Sequence, residues 1–177
     1  MKIVSIFATK LFAFHYPGVK KNELKRLLNL WNQVSYVYQF VKQHEQDIPS
    51  NIAPAVLVLQ IIADRNLIDD TLIKFSQKPS NNAPTLDTFF KPLHNTEYSN
   101  FKELSLRKGR VNYLRIYAIK IDEDCFVITG GAIKFAHLMK DSKHTIEELS
   151  KLEKCKQFLK HNGVFDTDSL TDFLNEQ

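Results

Sequence analysis

The stretch FKELSLRKGRVNYLRIYAIK, residues 101–120, decides the reading of this chain. Leu104 and Leu106, then Leu114, Ile116 and Ala118, alternate with polar or aromatic neighbours. Period-two alternation marks strands with one buried face. Residues 101–108 and 111–121 are therefore predicted as two strands joined at Gly109-Arg110. Their other side would carry Glu103, Ser105 and Arg107 with Tyr113, Arg115 and Tyr117. The stretch is also where the positive charge lies. Lys102, Arg107, Lys108, Arg110, Arg115 and Lys120 face one acid, Glu103, a net +5 in a chain whose total is +4. A basic sheet face flanked by aromatics suits a polyanion.

Outward from this pair, Asp122-Glu123-Asp124 reads as a charged turn and residues 125–129 as a third strand, continuing toward Gly130-Gly131. Short turns between successive strands predict an antiparallel meander. Toward the N-terminus, residues 3–7 are expected to form an edge strand. His15-Tyr16-Pro17-Gly18 is a turn signal, and Asn22 is a suitable N-cap for one long helix whose apolar stripe runs from Leu24 through Trp31 to Val41. A second helix is expected from Ala53-Pro54 to Phe75, kinked or split at Asp64-Arg65-Asn66, and making an αα-hairpin with the first. Residues 78–84 form the clearest loop. Residues 132–140 read equally as strand end or helix. Thr145 to Glu148 fits a capping box opening a helix that Asn162-Gly163 closes. Asp166 or Thr167 would cap a last short helix.

The expected fold is a single α+β domain over residues 1–177. Residues 1–96 supply the edge strand and helical hairpin, and residues 97–177 supply the meander and C-terminal helices. A chain of 177 residues with 44% hydrophobic content and 13 Phe can form a core of that size. Two cysteines, Cys125 and Cys155, in different predicted elements fit core packing in a reducing cytosol better than a disulfide framework. No apolar run reaches the ~20 residues of a membrane span. Lys10 interrupts the apolar N-terminus, which argues against a signal peptide. Phosphate-loop, zinc-spacing and nucleophile-elbow patterns are absent, and the acids at 122–124 read as a solvated turn.

Residues 101–159 resemble the RelE/HigB toxin superfamily, particularly its phage-derived branch. Lys102-Glu103-Leu104-Ser105-Leu106-Arg107 is similar to that family's first strand motif. Tyr113-Leu114-Arg115-Ile116-Tyr117 is similar to its second, and residues 125–129 to its apolar strand. Lys134 sits where the following basic residue lies, and Thr145 with Glu147 and Glu148 resembles the opening of the next helix. The resemblance implies a cytoplasmic endoribonuclease that acts on RNA, often on the ribosome, needs no metal or other cofactor, and has an antitoxin protein as partner. It implies attack by a ribose 2′-hydroxyl on the adjacent phosphate. That chemistry needs a base, cations for the phosphorane charge and an acid for the leaving oxygen.

On that reading Arg107 and Arg115 clamp phosphate, and Lys134 or His137 supplies proton transfer, with Lys140 or His144 as alternates. Tyr113 or Tyr117 stacks a base, while Lys102, Lys108, Arg110 and Lys120 hold the backbone. Each residue has an ordinary alternative. Arg115 would pair with Glu103, Lys134 and Lys140 would be solvated, His137 and His144 would sit on the surface or cap a helix, and the tyrosines would pack under a helix. The chain also departs from the family pattern. Its two helices after the first strand are longer, extra helices follow, and Gly130-Gly131-Ala132-Ile133 dilutes the region where catalytic residues lie. A non-catalytic interaction protein of phage or mobile-element origin, with the helical pair as its surface, and a plain nucleic-acid-binding module are the rival readings.

Overall fold

The computed structural model describes residues 1–48, 51–76, 85–93, 104–135 and 143–177. It is an α+β fold built on one six-stranded sheet. In chain order the strands are β1 (Lys2–Phe7), β2 (Leu11–His15), β3 (Lys91–Pro92), β4 (Ser105–Val111), β5 (Leu114–Asp122) and β6 (Cys125–Ile133). The helices are α1 (Glu23–Trp31), α2 (Val34–Gln43), α3 (Pro54–Ser76), α4 (Leu86–Phe89), α5 (Lys143–His161) and α6 (Thr167–Asn175). Strand order is β1-β2-β6-β5-β4-β3, with β2 and β6 parallel and every other pair antiparallel.

The meander of β4, β5 and β6 is present, but the N-terminal edge is a hairpin. The segment Leu11–His15 forms β2 and docks β1 onto β6. Its sequence LFAFH does not alternate because both of its faces are covered. Leu11 and Ala13 enter one core, Phe12 and Phe14 the other. The same holds along β5. Leu114, Ile116 and Ala118 pack under α1, α2, α3 and α4, while Tyr117, Ile119 and Ile121 pack under α5 and α6. The expected leucine side is thus split, with Leu114, Ile116 and Ala118 in one core and Leu104 and Leu106 in the other, and the side of Tyr117 that was expected to be open is that second core.

Gly109 and Arg110 lie within β4, and the turn falls at Asn112-Tyr113. Asn112 takes φ 41°, a left-handed geometry that asparagine tolerates. Gly109 is required for another reason. A Cβ there would lie 2.1 Å from the Phe89 ring of α4.

The single long helix expected from Leu24 to Val41 is two helices. Asn22 caps α1, its Oδ1 accepting from the Lys25 amide at 3.0 Å. The break lets α1 lie against β2 and β6 while α2 packs on α3. By contrast, α3 runs unbroken through Asp64-Arg65-Asn66. Helix α5 begins at Lys143, so Thr145 falls inside the helix rather than at its N-cap, and the Glu148 carboxylate accepts from the Gly131 amide at 3.0 Å. A capping box closes the start of α6, where Asp166 and Ser169 bond reciprocally.

Gly131 is pinned between layers. A Cβ there would sit 2.6 Å from the Arg115 carbonyl oxygen and 2.9 Å from Trp31. The neighbouring backbone cannot yield as a flexible side chain does. Gly131→Ala is therefore expected to cost about 2 kcal/mol by overpacking, a fall of roughly 4–8 °C in the midpoint of a thermal melt followed by circular dichroism.

Candidate functional site

A hollow of ≈ 510 Å³ opens at the end of the β4–β5 hairpin, lined by Gln60, Arg110, Asn112, Tyr113, Arg115, Lys134 and Phe135. Register places its two arginines. Arg110 and Arg115 are direct cross-strand partners, so they project from the same face, and Arg115 has the small Ala132 on its other flank. Lys134 follows β6 and is held at the turn by its amide, which donates to the Tyr113 carbonyl at 2.8 Å. Phe135 then meets Tyr113 edge to face at 5.7 Å and Phe40 at 5.8 Å, which builds an aromatic wall.

The turn is fixed from below by α3. Asp64, only 1% exposed, accepts from Asn112 Nδ2 at 2.7 Å and from the Tyr113 amide at 3.4 Å. Gln60 donates to the same carboxylate at 2.8 Å and sits on the rim. Asp64 explains why α3 carries polar residues mid-helix. It falls on the buried stripe of Leu57, Ile61, Ile68 and Leu72, and a carboxylate in that register is the sequence signal that identifies it as an anchor.

The electrostatics of the hollow are one-sided. Arg115 is half-buried, and its Nη1 donates to the carbonyls of Asn112 at 2.5 Å and Leu114 at 2.9 Å. No carboxylate among the described residues pairs with it. Burial, and then the charge of Arg110, lower its pKa to about 10. Among the described residues the charged side chains that line the hollow are all cations, with the Asp64 carboxylate buried beneath the turn.

The other expected residues are placed elsewhere. Arg107 is opposite Ala118 in register, on the far face of the sheet from Arg115, and its Nε donates to Ser105 Oγ at 3.0 Å. The reason is parity. A two-residue loop pairs odd-numbered with even-numbered residues, so Arg107 and Arg115 must point to opposite sides. Tyr117 is 1% exposed in the second core, and burial raises its phenol to about 12, so it offers no surface for a base. Lys108 is its cross-strand partner, further from the turn. Lys120 is ion-paired with Asp87 on the α4 side and lies 5.8 Å from the centre of the Phe126 ring. Lys102, His137 and Lys140, and the His144 side chain, lie outside the described residues. The hollow thus gathers Arg110, Tyr113, Arg115 and Lys134.

A second polar cluster lies across the sheet at β6. Glu23, 1% exposed, receives two hydrogen bonds from Arg26, at 2.7 and 2.8 Å, and an ion pair from Lys151. Lys151 also lies 3.5 Å from Glu148 and 4.7 Å from the centre of the Tyr16 ring. Burial pushes the Glu23 pKa up, but Arg26 and Lys151 outweigh it and hold it below the ordinary value. Burial dominates at Glu148, whose pKa is raised. With two acids against two bases the cluster is self-neutralising, and it fastens α1 and α5 across β6. Cys125 and Cys155 are buried free thiols pushed up to about 11, so neither is a ready nucleophile. No group of His, Cys, Asp and Glu among the described residues is arranged to hold a metal. No helix among them is long and apolar enough to cross a membrane. No family model matches the chain, and neither a curated protein nor a solved structure matches it at a significant level.

Proposed function

We propose that this chain binds single-stranded RNA through the hollow at the β4–β5 turn, as a RelE-like toxin or a relative of that group. The observation that supports this is the arginine pair of half-buried Arg115 and exposed Arg110, with no ion-paired carboxylate among the described residues and an aromatic wall beside it. A bridging phosphate satisfies both guanidinium groups, and Tyr113 or Phe135 offers a ring to an unstacked base. Lys134 completes the rim. Arg107 takes no part, which narrows the phosphate clamp to Arg110 with Arg115. Cleavage is the finer claim. It needs a proton acceptor for the 2′-hydroxyl, for which the sequence offers Lys134, which lines the hollow, and His137, which lies outside the described residues.

Titration of a fluorescent 12-nucleotide RNA with the full chain tests the proposal. Binding is expected in the micromolar range at low salt. With three cations engaged, log K against log salt should slope at about −2. Fragments ending in 2′,3′-cyclic phosphate would establish cleavage, and binding without fragments would leave an RNA-binding module. No binding at low salt overturns the proposal.

A second reading, an interaction protein, is favoured by one observation. The outer face of α3 leaves Val56, Leu59 and Leu67 exposed.

A further inference from the structure

The geometry points to guanine as the base that the hollow selects, an inference that rests on the RNA reading. Two side-chain amides carry it. Gln60 and Asn112 both line the hollow, and both turn their nitrogen inward to the buried Asp64. Gln60 Nε2 donates to Asp64 Oδ1 at 2.8 Å, and Asn112 Nδ2 donates to the same oxygen at 2.7 Å. A carboxylate accepts and does not donate, so neither amide can turn over without setting oxygen against oxygen. The buried acid therefore decides what the exposed rim offers. Each amide holds its carbonyl oxygen away from Asp64, and both residues are exposed. Among the described residues nothing donates to either oxygen. Both nitrogens end on one atom, so the two amides are immediate neighbours on that wall. The result is a pair of fixed acceptors beside the cations of Arg110, Arg115 and Lys134.

Guanine is the base that answers this pattern. Its Watson–Crick edge shows two adjacent donors, N1–H and the N2 amino group, followed by the O6 acceptor. The two donors meet the two carbonyl oxygens, and O6 meets a guanidinium. Arg110 is the group available for O6. It is exposed and makes no hydrogen bond among the described residues, whereas Arg115 commits Nη1 to two backbone carbonyls. A guanidinium has five N–H donors, so Arg110 retains some beside a bound phosphate. Adenine, cytosine and uracil each show one donor group on this edge, with an acceptor next to it. That acceptor would face an amide oxygen with no proton between them, and a desolvated polar atom left unpaired is costly. Tyr113 and Phe135 stack on any base alike, so they contribute affinity rather than choice.

Fluorescence anisotropy with five 12-nucleotide RNAs and the full chain tests the inference. Each RNA is uridine except at positions 3, 7 and 11, which carry uridine, adenosine, cytidine, guanosine or inosine. The guanosine strand is expected to bind about 10- to 100-fold tighter than the uridine, adenosine and cytidine strands, the discrimination of a well-formed paired contact to a base edge. Inosine keeps N1–H and O6 but lacks the N2 amino group, and its strand is expected to fall between them. Gln60→Leu removes one acceptor at an exposed position and is expected to lower the guanosine-to-uridine ratio by about fivefold or more. The ratio is the readout because a mere loosening of the hollow weakens every strand together and leaves the ratio unchanged. Natural strands that bind within about twofold of one another, an inosine strand as tight as the guanosine strand, or a ratio that Gln60→Leu does not move overturns the guanine inference and leaves the RNA reading standing. Failure of every strand to bind at low salt overturns the RNA reading and this inference with it.

Discussion

Arg115→Ala is expected to weaken RNA binding by about 10- to 100-fold, with the thermal midpoint nearly unchanged. A charged hydrogen bond contributes about 1.5–3 kcal/mol, and one guanidinium fork supplies most of the phosphate clamp. Stability should be insensitive because Arg115 has no acidic partner among the described residues, and its own charge is disfavoured by burial and by Arg110. Arg115→Lys keeps a charge but loses the fork, so it should recover only part of the affinity. Arg107→Ala is the matched control. Arg107 belongs to the same basic stretch, but it projects from the other face, and its loss should leave affinity within about twofold. Equal losses at 107 and 115 would mean that the anion sees the diffuse charge of the stretch rather than the hollow. The pH dependence has a definite sign. A bound phosphate favours the charged guanidinium, so affinity is constant at neutral pH and falls as pH rises through about 10. Fluorescence anisotropy on the three variants, with a wild-type titration from pH 8 to 10.5, measures all of this.

The contrast between Arg107 and Arg115 also shows where the sequence stops being legible. The alternation of Leu114, Ile116 and Ala118 identified β5 and one of its buried faces. It gave no warning that Tyr117, Ile119 and Ile121 are buried too, because alternation is read on the premise that one face meets water. The covering helices α5 and α6 come from later in the chain, and apolar periodicity does not say which face of a sheet a helix covers. Gly109 was misplaced for a related reason. A glycine marks a turn or a close approach alike, and the ring that approaches, Phe89, is remote in sequence. Moving the turn to Asn112-Tyr113 then sets the register that makes Arg110, rather than Arg107, the partner of Arg115. The hollow was half legible. Its cations lie within one basic run, whereas Asp64 and Gln60, which fix and rim it, come from a helix that periodicity assigned to packing alone.

The buried carboxylate of Glu23 is expected to matter more to stability than any other side chain in the polar cluster. Glu23→Ala removes the acceptor shared by Arg26 and Lys151 and leaves both cations beside an apolar gap. Breaking a fully buried pair costs about 3–5 kcal/mol. Arg26 and Lys151 keep 34% and 26% of their side-chain surface in solvent, so they rehydrate in part, and a loss of about 2–3 kcal/mol is the consistent figure. That corresponds to a fall of roughly 5–10 °C in the thermal midpoint. The pH profile separates this from simple cavity formation. The folded pKa of Glu23 lies below its unfolded value of about 4.3, so its contribution is present at neutral pH and is lost as pH falls through the folded pKa. The gap between wild type and variant should therefore narrow as pH falls below about 4. Glu148 works in the opposite direction. Its raised pKa means that the folded state favours the protonated form, so its contribution is present in mild acid and lost as pH rises. Part of that rise is caused by Glu23. Deleting Glu23 leaves Lys151 to Glu148 alone and should lower the Glu148 pKa, which weakens the mild-acid stabilisation that the wild type shows. Thermal melts of both proteins at half-unit steps from pH 3 to 8 resolve the two trends. A gap of constant size across that range would assign the loss to packing rather than to the charge of Glu23.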